Sequence, residues 1–175
     1  MPSARWQNWD YRNEGAYFIT ICTKNRKHYF GKIVDDKIDL SCVGIIADIL
    51  WYEIKNHSKN VELGEFIVMP NHIHGIIILD GVNPDNVMVE TLHATSLQKP
   101  PVNPMGQISP KPGSVSTIIR SYKSAVTKHA HRLGFEIEWQ ERFHDHVIRD
   151  NMEHQRISQY IINNPQKWEN DKFNH

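Results

Sequence analysis

The run Val68-Met69-Pro70-Asn71-His72-Ile73-His74-Gly75-Ile76-Ile77-Ile78-Leu79 constrains the fold more than any other stretch of the chain. From Ile73 to Leu79 it is aliphatic apart from His74 and Gly75. A short β-branched run entered through turn residues reads as a buried strand. Residues two apart on a strand share a face, so His72 and His74 project together while Ile73 turns the other way. Two imidazoles fixed side by side make half of a metal site. From spacing alone the alternative is a pair of hydrogen-bonding histidines at a strand end.

The rest of the chain supplies a sheet for this strand. Ala16–Thr23 is a β-branched and aromatic run after Gly15, expected as a central strand. Ile33-Val34 and Lys37-Ile38-Asp39 flank Asp35-Asp36, a small hairpin. Val61–Met69 is a further strand, expected to pair with 72–79 across Pro70-Asn71. Ser41 is a good N-cap, and Val43, Ile46, Ala47, Leu50 and Ile54 then recur at helical spacing, predicting an amphipathic helix over about 42–57. Ser114 caps a second helix over about 115–133, whose buried stripe is Val115, Ile118, Ile119, Tyr122, Val126 and Leu133. Phe135–Trp139 and His146–Arg149 read as short strands or edges. Asp150 with Glu153 forms a capping box for a last helix, about 151–164, stopped by Pro165. The order strand, helix, strand, strand, helix, strand, helix is α+β. It fits a ferredoxin-like antiparallel sheet with helices packed against it and the histidine strand near its centre.

With 175 residues the chain is expected to be a single domain, 1–175. Residues 80–113 hold six of the nine prolines and no periodicity, and read as a mobile loop insertion, either a substrate-side flap or a tolerated surface loop. The net charge of +0 with His neutral gives no global pointer to nucleic acid, so any basic surface must be local. Arg120, Lys123, Lys128 and Arg132 form one such face on the second helix, either merely solvated or a phosphate-backbone contact. Cys22 and Cys42 have neither metal spacing nor a disulfide framework and are expected to be reduced, in a cytoplasm. Met1–Asp10 is not a signal peptide, and no apolar run is long enough to span a membrane.

The last helix carries the second half of the candidate site. Glu153, Arg156, Tyr160 and Asn164 fall at spacings of three, four and four, on one face. Docked across the histidine face, Asn164 can offer its amide oxygen to an ion and Tyr160 its hydroxyl beside it. A metal on two imidazoles and an amide oxygen keeps positions open for a phosphate. A tyrosine hydroxyl can then attack phosphorus covalently. Asn164 before Pro165 also serves as an ordinary helix stop, and Tyr160 as a seam aromatic. Arg149 and Arg156 flank the helix and could meet phosphates. His144 and His146 form a second His-x-His that could support the site or substitute as ligands.

These residues resemble a known family. His72-Ile73-His74 matches the HUH motif, histidine-hydrophobe-histidine, of single-strand DNA endonucleases. Met69–Gly75 together with Tyr160-Ile161-Ile162-Asn163-Asn164-Pro165 is similar to the single-tyrosine HUH transposases, and within them to the REP-associated tyrosine transposases. The resemblance also covers Gly15–Thr23, Phe30-Gly31, Ser121–Lys128, Trp139-Gln140 and His146–Arg149. It implies a ferredoxin-like fold, His72, His74 and Asn164 as ligands of a divalent metal (Mg²⁺ or Mn²⁺), and Tyr160 as the nucleophile that becomes linked to a DNA 5′ phosphate. It implies DNA binding, for which Arg120, Lys123, Lys128, Arg149 and Arg156 are the candidates. The implied partner is single-stranded or hairpin DNA, with repeated extragenic palindromes as targets. The protein would act as a monomer or homodimer, in the cytoplasm, on the nucleoid when bound. The other readings are a catalytically silent hairpin-DNA-binding protein and a ferredoxin-like RNA-binding module, although the sheet lacks the paired aromatics expected of the latter.

Overall fold

A computed structural model describes residues 14–58, 60–80 and 113–174. Its elements in chain order are β1 (Gly15–Cys22), β2 (Gly31–Val34), β3 (Lys37–Leu40), α1 (Cys42–Tyr52), α2 (Ile54–His57), β4 (Val61–Met69), β5 (His72–Leu79), α3 (Val115–Arg132), β6 (His144–Ile148) and α4 (Asn151–Ile162). Short 3-10 segments cover Lys24–Arg26 and Pro165–Asn170. The main sheet has the order β4-β5-β1-β6, every neighbouring pair antiparallel. With α1 between β1 and β4, and α3 between β5 and β6, this is the ferredoxin-like α+β fold that the element order predicts.

The histidine strand β5 is internal, paired with β1 on one side and β4 on the other. Its two faces meet different helices. Ile73 and Ile77 point into the larger core with Tyr17, Ile19, Trp51 and Tyr122, which belongs to α1 and α3. Ile76 joins a second core with Ile148, Ile157 and Ile161, which belongs to α4. By alternation, His72 and His74 lie on the α4 face. The split follows from composition, since β1 and β5 are apolar on both faces and must be covered twice.

Gly75 sets how closely α1 approaches. A Cβ there would fall 2.3 Å from Trp51 Cζ2. Trp51 is fully buried, stacks on Phe66 at 5.0 Å and meets Tyr122 edge-on at 5.3 Å, so it has nowhere to move. Gly75→Ala should therefore cost about 2–3 kcal/mol by overpacking. Urea unfolding checks this, and a loss below about 0.5 kcal/mol would contradict the fit.

Hydrogen bonding explains the turns and caps. The β4–β5 turn is buried, yet its carbonyls are taken: Phe30 N–H donates to Pro70 O at 3.0 Å, and Thr23 N–H and Oγ1–H both donate to Asn71 O at 2.9 Å. The β2–β3 hairpin turns at Asp35-Asp36, both with positive φ, as a two-residue turn with the strands' twist requires. Ser41, Ser114 and Asp150 each accept from a backbone N–H three residues on, as N-caps.

Several boundaries differ from the expectations. The helix expected over 42–57 breaks at Glu53 into α1 and α2. Phe135–Trp139 is not a strand, and only Trp139 bridges, to Thr23. The reason is its partner: β1 turns at Lys24 into a 3-10 segment, leaving pairing at Lys24 N–Glu138 O and Gln140 N–Cys22 O alone. β6 begins earlier than expected, at His144, and α4 ends at Ile162, so Asn164 sits in the turn between α4 and the final 3-10 segment. The insertion expected over 80–113 lies almost wholly outside the described residues. No described helix is long and apolar enough to cross a membrane.

Candidate metal and nucleophile site

Register places the site. His72 sits opposite Cys22 and His74 opposite Thr20 on β1, and both imidazoles are essentially without solvent exposure. Their ring centroids are 4.5 Å apart. His72 is held on one ring nitrogen and His74 on both.

For His72 the holder is Asn71. The Asn71 amide nitrogen donates to two carbonyls, Arg26 O at 3.2 Å and Phe173 O at 2.6 Å. Two acceptors fix which end of the amide is nitrogen, so its oxygen is the end 2.9 Å from His72 Nδ1. An oxygen there accepts, hence Nδ1 carries the proton and Nε2 keeps its lone pair. That Nε2 is buried and has no hydrogen-bond partner.

His74 Nδ1 lies 2.9 Å from Thr20 Oγ1, and its Nε2 lies 3.3 Å from the Tyr160 hydroxyl. Tyr160 comes from the middle of the last turns of α4, anchored by Ile157 and Ile161 in the second core. Phe18 meets its ring edge-on at 6.1 Å. The tyrosine thus reaches the histidine of its own chain.

Asn164, one turn beyond Tyr160, is buried. Its amide nitrogen donates to Asp171 Oδ2 at 3.3 Å, which leaves Oδ1 without a partner. Bare, buried polar atoms are rare because each forfeits its hydration. Here two of them, an imidazole nitrogen and an amide oxygen, belong to the residues expected as ligands. That donor set fits a divalent cation, and His74 Nε2 would be the third donor. Among the described residues no three His, Cys, Asp or Glu side chains gather as a metal cluster, so an amide oxygen is needed to complete one.

The electrostatics favour ligands over bases. Burial, reinforced by Lys172, holds His74 down to about 3. Burial, then His74 and the cations Arg26 and Lys172, drives His72 well below its ordinary value. Both rings are therefore neutral at neutral pH, the form that coordinates metals. The Tyr160 phenol is raised, first by burial and then by Asp171, with the Asn164 side chain opposing. It is protonated, and its hydroxyl lies 3.3 Å from the nitrogen that His74 would give an ion.

A cleft of about 380 Å³ opens beside this constellation, lined among others by Phe18, Arg26, His144, His146, Lys172 and Phe173. Phe173 also covers the histidines, 4.6 Å from His72 and 5.7 Å from His74 between ring centroids. Arg26 lies 4.3 Å over its ring.

The expected DNA-contacting residues are dispersed. Arg120, Lys123 and Lys128 belong to α3, which packs on the sheet face opposite the histidine pair. Lys123 is spoken for as well, donating to Gln140 O at 2.6 Å over the Trp139 ring. Arg156 pairs with Glu153 at 3.3 Å, and the same carboxylate accepts the Arg149 backbone N–H at 2.9 Å. The cations that line the cleft are Arg26 and Lys172, which carry no periodic signal in the sequence. His144 and His146 share the sheet face of His72 and His74, but on β6, beyond β1. Two strand spacings, about 9–10 Å, separate His144 from His74, and His146 is held by Glu153 at 2.9 Å. Both line the cleft beside the histidine pair.

The fold has a counterpart among solved structures. Among solved structures, a REP-associated tyrosine transposase bound to a REP hairpin aligns over 94% of this chain and 73% of that one, with a TM-score of 0.58 and 18% identity. An uncharacterized protein of Haemophilus influenzae is 35% identical over 177 residues, spanning 98% of this chain and 91% of that protein. No family model matches the sequence. The fold agrees with the resemblance to REP-associated tyrosine transposases read from the motifs, and the chain belongs to one family with the Haemophilus protein.

Proposed function

We propose that this protein is a metal-dependent, single-strand-specific DNA endonuclease and strand transferase that acts through Tyr160 on hairpin-forming DNA. The observation that carries the reading is the pairing of two bare ligand atoms, His72 Nε2 and Asn164 Oδ1, with a tyrosine hydroxyl on His74 Nε2. Tyr160 Oη attacks a backbone phosphorus and gives up its proton. The P–O3′ bond breaks as the Tyr160 O–P bond forms. A 5′-phosphotyrosine and a free 3′-hydroxyl result. A 3′-hydroxyl of another strand reverses the step, so strands rejoin without ATP. Bound through His72, His74 and Asn164, a divalent ion such as Mg²⁺ or Mn²⁺ supplies charge stabilisation at the phosphate oxygens. Phe18, Thr20 and Phe173 shape the entrance, and Arg26 and Lys172 attract the backbone. The chain works as one domain, and palindromic repeats near its own gene are the natural substrates.

A hairpin-binding protein without chemistry is the second reading. In its favour, the Tyr160 hydroxyl occupies the nitrogen that an ion needs. Incubation with hairpin oligonucleotides and Mn²⁺ or Mg²⁺, read on a denaturing gel, separates the two. We expect a covalent protein–DNA band that vanishes with EDTA and with His72→Ala. DNA bound without any adduct, across both metals and several hairpins, would establish the silent binder instead.

A further inference from the structure

The C-terminal turn makes contacts that the proposed chemistry does not use. Asp171 is buried although it is a carboxylate. One of its oxygens accepts from the Asn164 amide at 3.3 Å, and the other from the Phe173 backbone N–H at 2.7 Å. The Phe173 carbonyl accepts from the Asn71 amide at 2.6 Å. A single chain of hydrogen bonds therefore runs Asn164–Asp171–Phe173–Asn71–His72. At each end, an amide is fixed by its nitrogen. At one end this leaves Asn164 Oδ1 bare, and at the other it puts the proton on His72 Nδ1 and leaves Nε2 bare.

The geometry points to Asn71 and Asp171 as positioning residues for the metal, with the C-terminal turn Asp171–Phe173 as the clamp that couples them. Neither residue donates to the ion. Asp171 turns the Asn164 oxygen toward it, and Asn71 sets the His72 tautomer. The turn makes the two orientations mutually dependent. Partners behind metal ligands commonly act this way, and their loss commonly costs 10–100-fold in metal affinity. The inference rests on the reading of His72 and Asn164 as ligands.

Two measurements test it on the full chain without DNA. The first needs no variant: ¹⁵N–¹H correlation of the imidazoles in the metal-free protein should show His72 as the Nδ1–H tautomer. Finding it as Nε2–H overturns the proposal. The second is Mn²⁺ binding followed by electron paramagnetic resonance. Asp171→Ala and Asn71→Ala should each weaken Mn²⁺ by about 10–100-fold. Asn71→Asp keeps an acceptor for His72 Nδ1–H but loses both donated bonds. It should retain the tautomer but, with the link to Phe173 gone, still bind Mn²⁺ more weakly than wild type. If wild type and His72→Ala bind Mn²⁺ equally, the ligand reading fails and takes the clamp with it. If His72→Ala abolishes binding while Asp171→Ala and Asn71→Ala bind like wild type, the clamp alone is overturned.

Discussion

Tyr160→Phe is expected to abolish the covalent protein–DNA adduct while leaving the fold and the metal site in place. Phenylalanine keeps the ring against Phe18 and His74, at 6.1 and 5.3 Å, so packing in the second core survives. What goes is the hydroxyl and its 3.3 Å bond to His74 Nε2, a loss of about 1 kcal/mol or less. Removal of a nucleophile costs on the order of 10⁴-fold or more, so the adduct band should fall to background. A second consequence separates this site from an ordinary tyrosine pocket. The phenol lies 3.3 Å from the nitrogen that the ion needs, so Mn²⁺ should bind Tyr160→Phe at least as tightly as wild type. Hairpin binding measured by gel shift should persist. An adduct of undiminished yield in Tyr160→Phe would remove Tyr160 from the chemistry, and weaker Mn²⁺ binding would show that the hydroxyl assists the ion.

The parts of this arrangement that periodicity controls were legible from residue order. Alternation on His72–Leu79 gives the shared face of the two histidines, and the capping box at Asp150 with the Ile157–Ile161 anchor gives the helix that carries Tyr160. Periodicity says which residues share a face, but not which side of the sheet a helix takes. The basic stripe Arg120, Lys123 and Lys128 is real, yet α3 lies across the sheet from the histidines. The strand expected at Phe135–Trp139 has suitable residues but too short a partner, because β1 ends in a turn. The holders of the ligands were harder still. Asn71 stands next to the motif in plain sight, but its role depends on carbonyls 45 and 102 residues away in sequence, at Arg26 and Phe173. Asp171, Lys172 and Phe173 follow a proline and belong to no repeating pattern, so only the folded chain brings them to the site.

The buried histidines should make the fold sensitive to mild acid. In the unfolded chain His72 and His74 take up protons as pH falls through about 6.5. In the folded chain burial holds His74 to about 3 and His72 well below its ordinary value, so neither charges in that range. The unfolded state then binds more protons, and stability falls as pH falls, by up to about 1.4 kcal/mol per pH unit for each histidine. Above about 6.5 the pair adds no slope. From pH 6.5 to pH 5 the two together remove about 3–4 kcal/mol, a large share of the 5–15 kcal/mol typical of a domain. The depressed carboxylates Glu138 and Glu153 titrate lower still and leave this window to the histidines. Urea unfolding in EDTA from pH 7.5 to 5 should therefore show a steep loss in wild type and a much flatter one in His72→Gln/His74→Gln. Parallel slopes would mean that the rings are not held neutral. The same neutrality has a consequence for the metal. An ordinary histidine site surrenders its ion to protons below about 6.5, whereas here the ligands are already deprotonated. Mn²⁺ affinity should stay nearly constant down to pH 5, raising the whole stability curve without changing its slope. A tenfold weakening per pH unit over that range would show protons reaching the ligands after all.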